Sequence, residues 1–186
     1  MSDEAGEYEP RWPHDVLEPG DVHEFVCGMY ALHEGAHGVV GHALGLLPVA
    51  IRVHPSPPAP GTVRGTLFAE HPDGDPGALI ALAARPAVDR YLHITGQDSA
   101  HNRARIDPQF AADDELASAR AQRPITELRE QAAALVDRHW TAILQLAGRV
   151  CDADGRLQAP PGGTLLDPGA GPGPAGSAEA GFPVGG

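Results

Sequence analysis

Between Asp21 and Leu44 an apolar helical period coexists with a crowd of glycines, and any fold of this chain has to satisfy both. Asp21 and Glu24 make a capping-box pattern at the start. Apolar side chains then recur at Val22, Phe25, Val26, Met29, Tyr30, Leu32, Val39, Val40 and Leu44, the spacing of a helix with a wide buried face, until Gly45 and Pro48 stop it. Gly28, Gly35, Gly38 and Gly41 lie inside this helix and Gly45 at its end, although an interior glycine costs about 1 kcal/mol relative to alanine. Close backbone approach by a neighbouring helix or by a substrate is the compensation this predicts.

The same helix carries His33-Glu34-Gly35-Ala36-His37. Residues four apart share a helix face, so both imidazoles can reach one zinc ion. Glu34 stands beside them, placed to take a proton from a water that zinc has acidified to about pKa 7 and to pass it to a leaving amine. In an otherwise apolar helix these three side chains need partners, which favours a metal site over a pair of surface histidines. Catalytic zinc usually keeps three protein ligands and one open position, so a third ligand has to come from elsewhere. Asp113-Asp114-Glu115 is the candidate cluster, although acidic residues opening a helix also suit its dipole. His23, His42, His54, His71 and His93 lack a partner four residues away and are assigned no role; His139 beside Trp140 reads as ordinary helix packing.

Around that helix the pattern predicts a mainly α chain of α+β type, a helical zincin-like domain with a small hairpin or sheet after the zinc-binding helix. Val49 to Val53 and Thr62 to Phe68 read as two strands joined by a turn from Pro55 to Gly61. Residues 78 to 92 are Ala/Leu-rich and helical, with a kink or restart expected at Pro86. Gln97 to Asp107 reads as a loop, a further helix begins near Ala112, and a long one runs from Pro124 through Leu128, Ala132, Val136, Trp140 and Ile143 to Ala147. The 186 residues therefore divide into a flexible acidic segment (1–20), one domain (21–158) and a disordered Gly/Pro/Ala-rich tail (159–186).

Composition removes several functions. A net charge of -12 opposes the phosphate contacts on which nucleic-acid binding depends. All 13 basic residues are arginine, so the chain has no phosphate-binding loop with its lysine. Cys27 and Cys151 have neither the spacing of a zinc site nor that of a disulfide framework, which fits a reducing cytoplasm. No apolar stretch is long enough to span a membrane, and the acidic N-terminus has no signal-peptide pattern.

Taken in order, these features resemble the FtsH-type zinc metallopeptidases. The matching residues are Tyr30-Ala31-Leu32-His33-Glu34-Gly35-Ala36-His37, Ala43-Leu44-Gly45, the Val49 to Val53 strand, Leu82-Ala83-Ala84-Arg85, the acidic cluster and a final long helix ending at Leu157, together spanning roughly residues 21 to 158. The resemblance implies His33 and His37 as zinc ligands and Glu34 as the catalytic glutamate. For the third ligand its register favours Glu115, through Glu115-Leu116-Ala117-Ser118-Ala119, while residue type favours Asp114, and both stand as alternatives. Gly35-Ala36 inverts the family's Ala-Gly, and Val88 stands where an acidic residue usually follows the Arg-containing helix start, with Asp89 one position late. The family's ATPase module and membrane helices have no counterpart here. The expected activity is therefore that of a zinc metalloendopeptidase cutting unfolded or flexible polypeptides, fed by a separate ATPase or adaptor where substrates need unfolding. The alternative is a catalytically inactive, zinc-stabilised protein-binding module of the same fold.

Overall fold

The computed structural model describes residues 21–53, 65–70, 72–153 and 155–172, without the side chains of 21–27 and 105. The acidic segment 1–20, the side chains of the Asp21–Glu24 capping box, the turn from Pro55 to Gly61 and the tail beyond Pro172 lie outside the described residues.

The glycine-bearing helix forms as its period requires. Helix α1 (Asp21–Ala43) leads through Gly45, at φ 88°, into strand β1 (Pro48–Arg52), which pairs antiparallel with β2 (Gly65–Phe68). Helix α2 (Gly74–Ile94) follows, then α3 (Ala100–Arg120), α4 (Ile125–Arg138) and α5 (Trp140–Asp152), with the short strands β3 (Arg156–Gln158) and β4 (Gly171–Pro172) at the end. The four strands form an antiparallel sheet in the order β2-β1-β3-β4, in which Ile51 is paired with Thr66 on one side and Leu157 on the other. The protein is thus mainly α with a small sheet, as its pattern predicts.

The glycines of α1 are where other elements come closest. A Cβ at Gly35 would stand 3.3 Å from the Ile143 carbonyl oxygen and 3.4 Å from the Ala147 nitrogen, both backbone atoms of α5. At Gly41 it would run into the Phe68 ring of β2. Removing the side chain lets α5 and the sheet close on α1, and the packing offsets the poor helix propensity. Ala31, Leu32, Ala36 and Val40 are consequently buried against Ala83, Ala84 and Val88 of α2 and Ile143, Leu146 and Ala147 of α5 in one core.

Four parts of the pattern resolve differently. Helix α2 runs unbroken through Pro86, because its Ala-rich face is clamped from both sides by the core. The stretch expected as a loop from Gln97 is instead the first half of α3: Ser99 caps it by accepting a hydrogen bond from the Asn102 N–H at 3.2 Å, and only Ile106 and Phe110 need face inward. The long final helix is two, broken at His139, so that α4 lies against α2 while α5 lies against α1. Order also continues past residue 158 to Pro172. Arg149 gathers the carbonyls of Leu165, Asp167 and Ala170 at 2.8 to 3.1 Å, Leu165 is fully buried, and β4 pairs with β3. A Gly/Pro-rich composition conceals these bonds, which are made by a side chain 16 to 21 residues upstream.

Candidate metal centre

Three of the four buried polar residues among those described are His33, Glu34 and His37, the fourth being Thr164. Their helix is enclosed by α2, α5 and the sheet, so their positions are set by a packed core rather than by a loop. The i,i+4 spacing brings the His33 and His37 Nε2 atoms to 3.1 Å from one another. On the far side of its ring His37 Nδ1 lies 2.6 Å from the Ile80 carbonyl oxygen of α2. A carbonyl only accepts, so Nδ1 carries the proton and Nε2 is left with its lone pair facing His33.

Helix α3 supplies the third group, and it is Asp113. Its Oδ2 is 3.1 Å from His33 Nε2 and its Oδ1 is 3.7 Å from His37 Nε2. One atom from each residue falls within a 4.8 Å cluster that can hold a metal ion. A tetrahedral ion with bonds of about 2.0 to 2.1 Å separates its ligand atoms by roughly 3.3 Å. The two imidazole nitrogens, 3.1 Å apart, and the 3.1 Å between His33 Nε2 and Asp113 Oδ2 are close to that edge length, while the carboxylate's other oxygen is the one nearer His37, at 3.7 Å. Although it is close to His33, Asp113 Oδ2 is buried without hydrogen-bond alignment to any partner, and His33 Nδ1 is likewise buried and unpaired. An orphaned carboxylate oxygen beside the His33 imidazole nitrogen is a cost that a cation removes. Two nitrogens and one oxygen also leave a fourth position open, so these residues fit a bound divalent ion.

The charges respond to this crowding. Burial alone works against protonating His33, but a close contact with Asp113 and the nearby charges of Glu34 and Asp113 together hold its pKa above the ordinary 6.5. Burial pushes Asp113 the other way from its neighbours, yet His33, His37 and Arg85 keep its carboxyl below the usual value.

Neither residue expected as third ligand occupies that position. Asp114 turns to α2 and α4, where it meets Arg85 at 3.4 Å and Arg129 at 3.0 Å, and Glu115 is exposed to solvent. Successive helical residues are rotated by about 100°, so in a run of three acids only one can face α1. The buried stripe Ile106, Phe110, Ala117 already marks that face, and Asp113 continues it at positions i+7 and i+3 from the first two. That stripe was the available signal, and the register suggested by Glu115-Leu116-Ala117 points to the solvent side. Val88 is part of the core, and Asp89 is engaged at 2.7 Å by Arg103 of α3, so neither stands behind a metal-facing histidine. Phe110 instead stacks on His33, with ring centroids 5.9 Å apart, and carries the Arg85 guanidinium 4.4 Å from its own centroid. A cavity of about 190 Å³ between α2, α3 and α4 has Asp113 and Phe110 in its wall but neither histidine.

Glu34 completes the site from the sheet side. Its Oε1 is 3.9 Å from His33 Nε2, and Thr66 of β2 reaches across to its Oε2 at 3.0 Å and to its main-chain oxygen at 2.8 Å.

No family model, curated protein or solved structure matches the chain. The arrangement of His33, Glu34, His37 and Asp113 therefore speaks through its own chemistry. That chemistry is a carboxylate next to three side chains that could hold a metal ion, with the Thr66 hydroxyl of β2 close by.

Proposed function

We propose that this protein is a zinc-dependent metalloendopeptidase acting on unfolded or flexible polypeptides, with His33, His37 and Asp113 as the metal ligands and Glu34 as the general base. The observation that carries the reading is the convergence of Asp113 on the two motif histidines, with one of its buried oxygens left unpaired. Zinc held there would supply an acidified water and polarise the scissile carbonyl. Glu34 lies close enough to this position to take the water's proton and to deliver it to the departing amine. Edge strand β2 carries Thr66 against Glu34, so an extended peptide added along its outer side would pass the base in register. The resemblance of the sequence to FtsH-type peptidases supports these roles for the histidines and the glutamate, and the proposed substrates are segments that need no unfolding or that a separate ATPase or adaptor delivers. Among the described residues no helix is long and apolar enough to cross a membrane.

The test is Glu34→Gln. Hydrolysis of an unstructured polypeptide should vanish while one equivalent of zinc stays bound; turnover that survives the substitution removes Glu34 from the mechanism. One observation favours the binding-module alternative: His33 Nδ1 is buried with no acceptor behind it, whereas peptidase ligands are normally oriented by such a partner. Full zinc occupancy with no cleavage across many unstructured substrates would select that alternative.

A further inference from the structure

Glu34 is held by more than its helix. Thr66 belongs to a different element, 32 positions along the chain, and its hydroxyl oxygen lies within hydrogen-bond distance of both the carboxylate and the main-chain oxygen of the same residue. Three features aim it there. Gly65, immediately before it, adopts φ +133°, a region that side-chain-bearing residues rarely enter, and its α-carbon side faces Glu34, with Oε2 3.9 Å from where a Cβ would be. Thr66 is paired with Ile51, whose fully buried side chain anchors β1 in the core. On α1, Gly38 lies opposite the Thr66 methyl: a Cβ there would be in ordinary contact with it, 3.7 Å from Thr66 Cγ2. The strand is therefore packed on the helix through the methyl, while the hydroxyl is directed at the base.

We propose that Thr66 is a positioning residue for Glu34, its hydroxyl fixing the carboxylate in the orientation from which the proton is transferred. This rests on the peptidase reading above. A carboxylate on a helix has several rotamers, and only some direct an oxygen at the attacking water. The hydroxyl's single hydrogen is shared between the main-chain oxygen and Oε2 of Glu34, and its hold on Oε2 leaves Oε1, the oxygen nearer His33, for the proton. The hydrogen bonds of the Thr66 hydroxyl go to Glu34, so its contribution falls on the chemical step rather than on substrate affinity.

The two halves of the side chain can be separated. Thr66→Val keeps the methyl packing on Gly38 and removes the hydroxyl; Thr66→Ser does the reverse. In zinc-loaded protein assayed on a fluorogenic unstructured polypeptide, Thr66→Val should lower kcat by about tenfold to a hundredfold with KM changed by less than about twofold, and Thr66→Ser should recover most of the loss. Zinc content should stay at one equivalent in both. In metal-free protein the ¹³C resonance of the Glu34 side-chain carboxyl should move in Thr66→Val and return towards its original position in Thr66→Ser, a readout independent of turnover. Wild-type kcat in Thr66→Val, or an equal loss in both variants, overturns the positioning role while Glu34→Gln remains inactive. If Glu34→Gln itself turns over substrate, the general-base reading falls, and this role with it.

Discussion

Helices α1 and α3 each contribute to the metal centre, and they are built on opposite terms. Helix α1 is enclosed by α2, α5 and the sheet, and is buried without a break from Ala31 to Gly41. Helix α3 is mostly polar and faces solvent along most of its length, touching the core through Ile106 and Phe110 and a smaller cluster through Ala117. The first is a fixed platform for His33, Glu34 and His37. The second is an arm that brings one carboxylate, held in register by ion pairs on its outer side. A site divided in this way gets its geometry from α1 and its closure from α3.

The largest effect expected from breaking the α3 half is at Asp113. Asp113→Ala should weaken zinc binding by more than about a hundredfold, since even partners of ligands are worth about 10- to 100-fold. Chelator competition measures this, and an affinity within about threefold of wild type would remove Asp113 from the ligand set. The next effect sharpens the comparison by titration. His33 holds its proton more tightly folded than unfolded, so the metal-free fold gains from that proton below pH 6.5 and loses the gain as pH rises through the raised value. Zinc must displace the same proton. Its affinity should therefore rise by up to about tenfold per pH unit from pH 6.5 until His33 is neutral, and a flat profile over that range would show that His33 is not protonated in the metal-free site.

Helix α1 should answer to volume instead. Gly41→Ala drives a methyl into the Phe68 ring, and overpacking of about 1 to 3 kcal/mol outweighs the roughly 1 kcal/mol gained in helix propensity. A fall of a few degrees in melting temperature is expected, and a rise would mean that β2 yields freely. The smallest effect belongs to the outer side of α3. Asp114→Ala removes partly exposed ion pairs to Arg85 and Arg129, worth about 1 kcal/mol or less, and should leave zinc affinity within about threefold. A loss comparable to that of Asp113→Ala would make the neighbouring carboxylate a ligand after all.

The contrast also explains what the sequence made legible. Helix α1 is written in a dense apolar period with a motif of fixed spacing, so its limits, its close contacts and His33, Glu34 and His37 can all be read directly. Helix α3 buries only a narrow stripe, and a polar run such as Asn102 to Asp107 looks the same whether it is a loop or the wet face of a helix. Choosing among Asp113, Asp114 and Glu115 needed the phase of that stripe, which becomes available only once the helix is seen to begin at Ala100. Thr66 carried no local signal, because what matters is its pairing with Ile51 and its place opposite Gly38 and Glu34, contacts that are remote along the chain.

The clamp formed by Arg149 has a consequence for self-digestion. On the proposed peptidase reading any flexible stretch of this chain would itself be a substrate, and nothing in the composition of residues 159–172 would spare that stretch. Three carbonyls of that stretch are tied to one guanidinium and Leu165 is sealed in the core, so its backbone cannot straighten into another strand's partner without first releasing Arg149. On that reading, an arginine on α5 would withhold this stretch from cleavage.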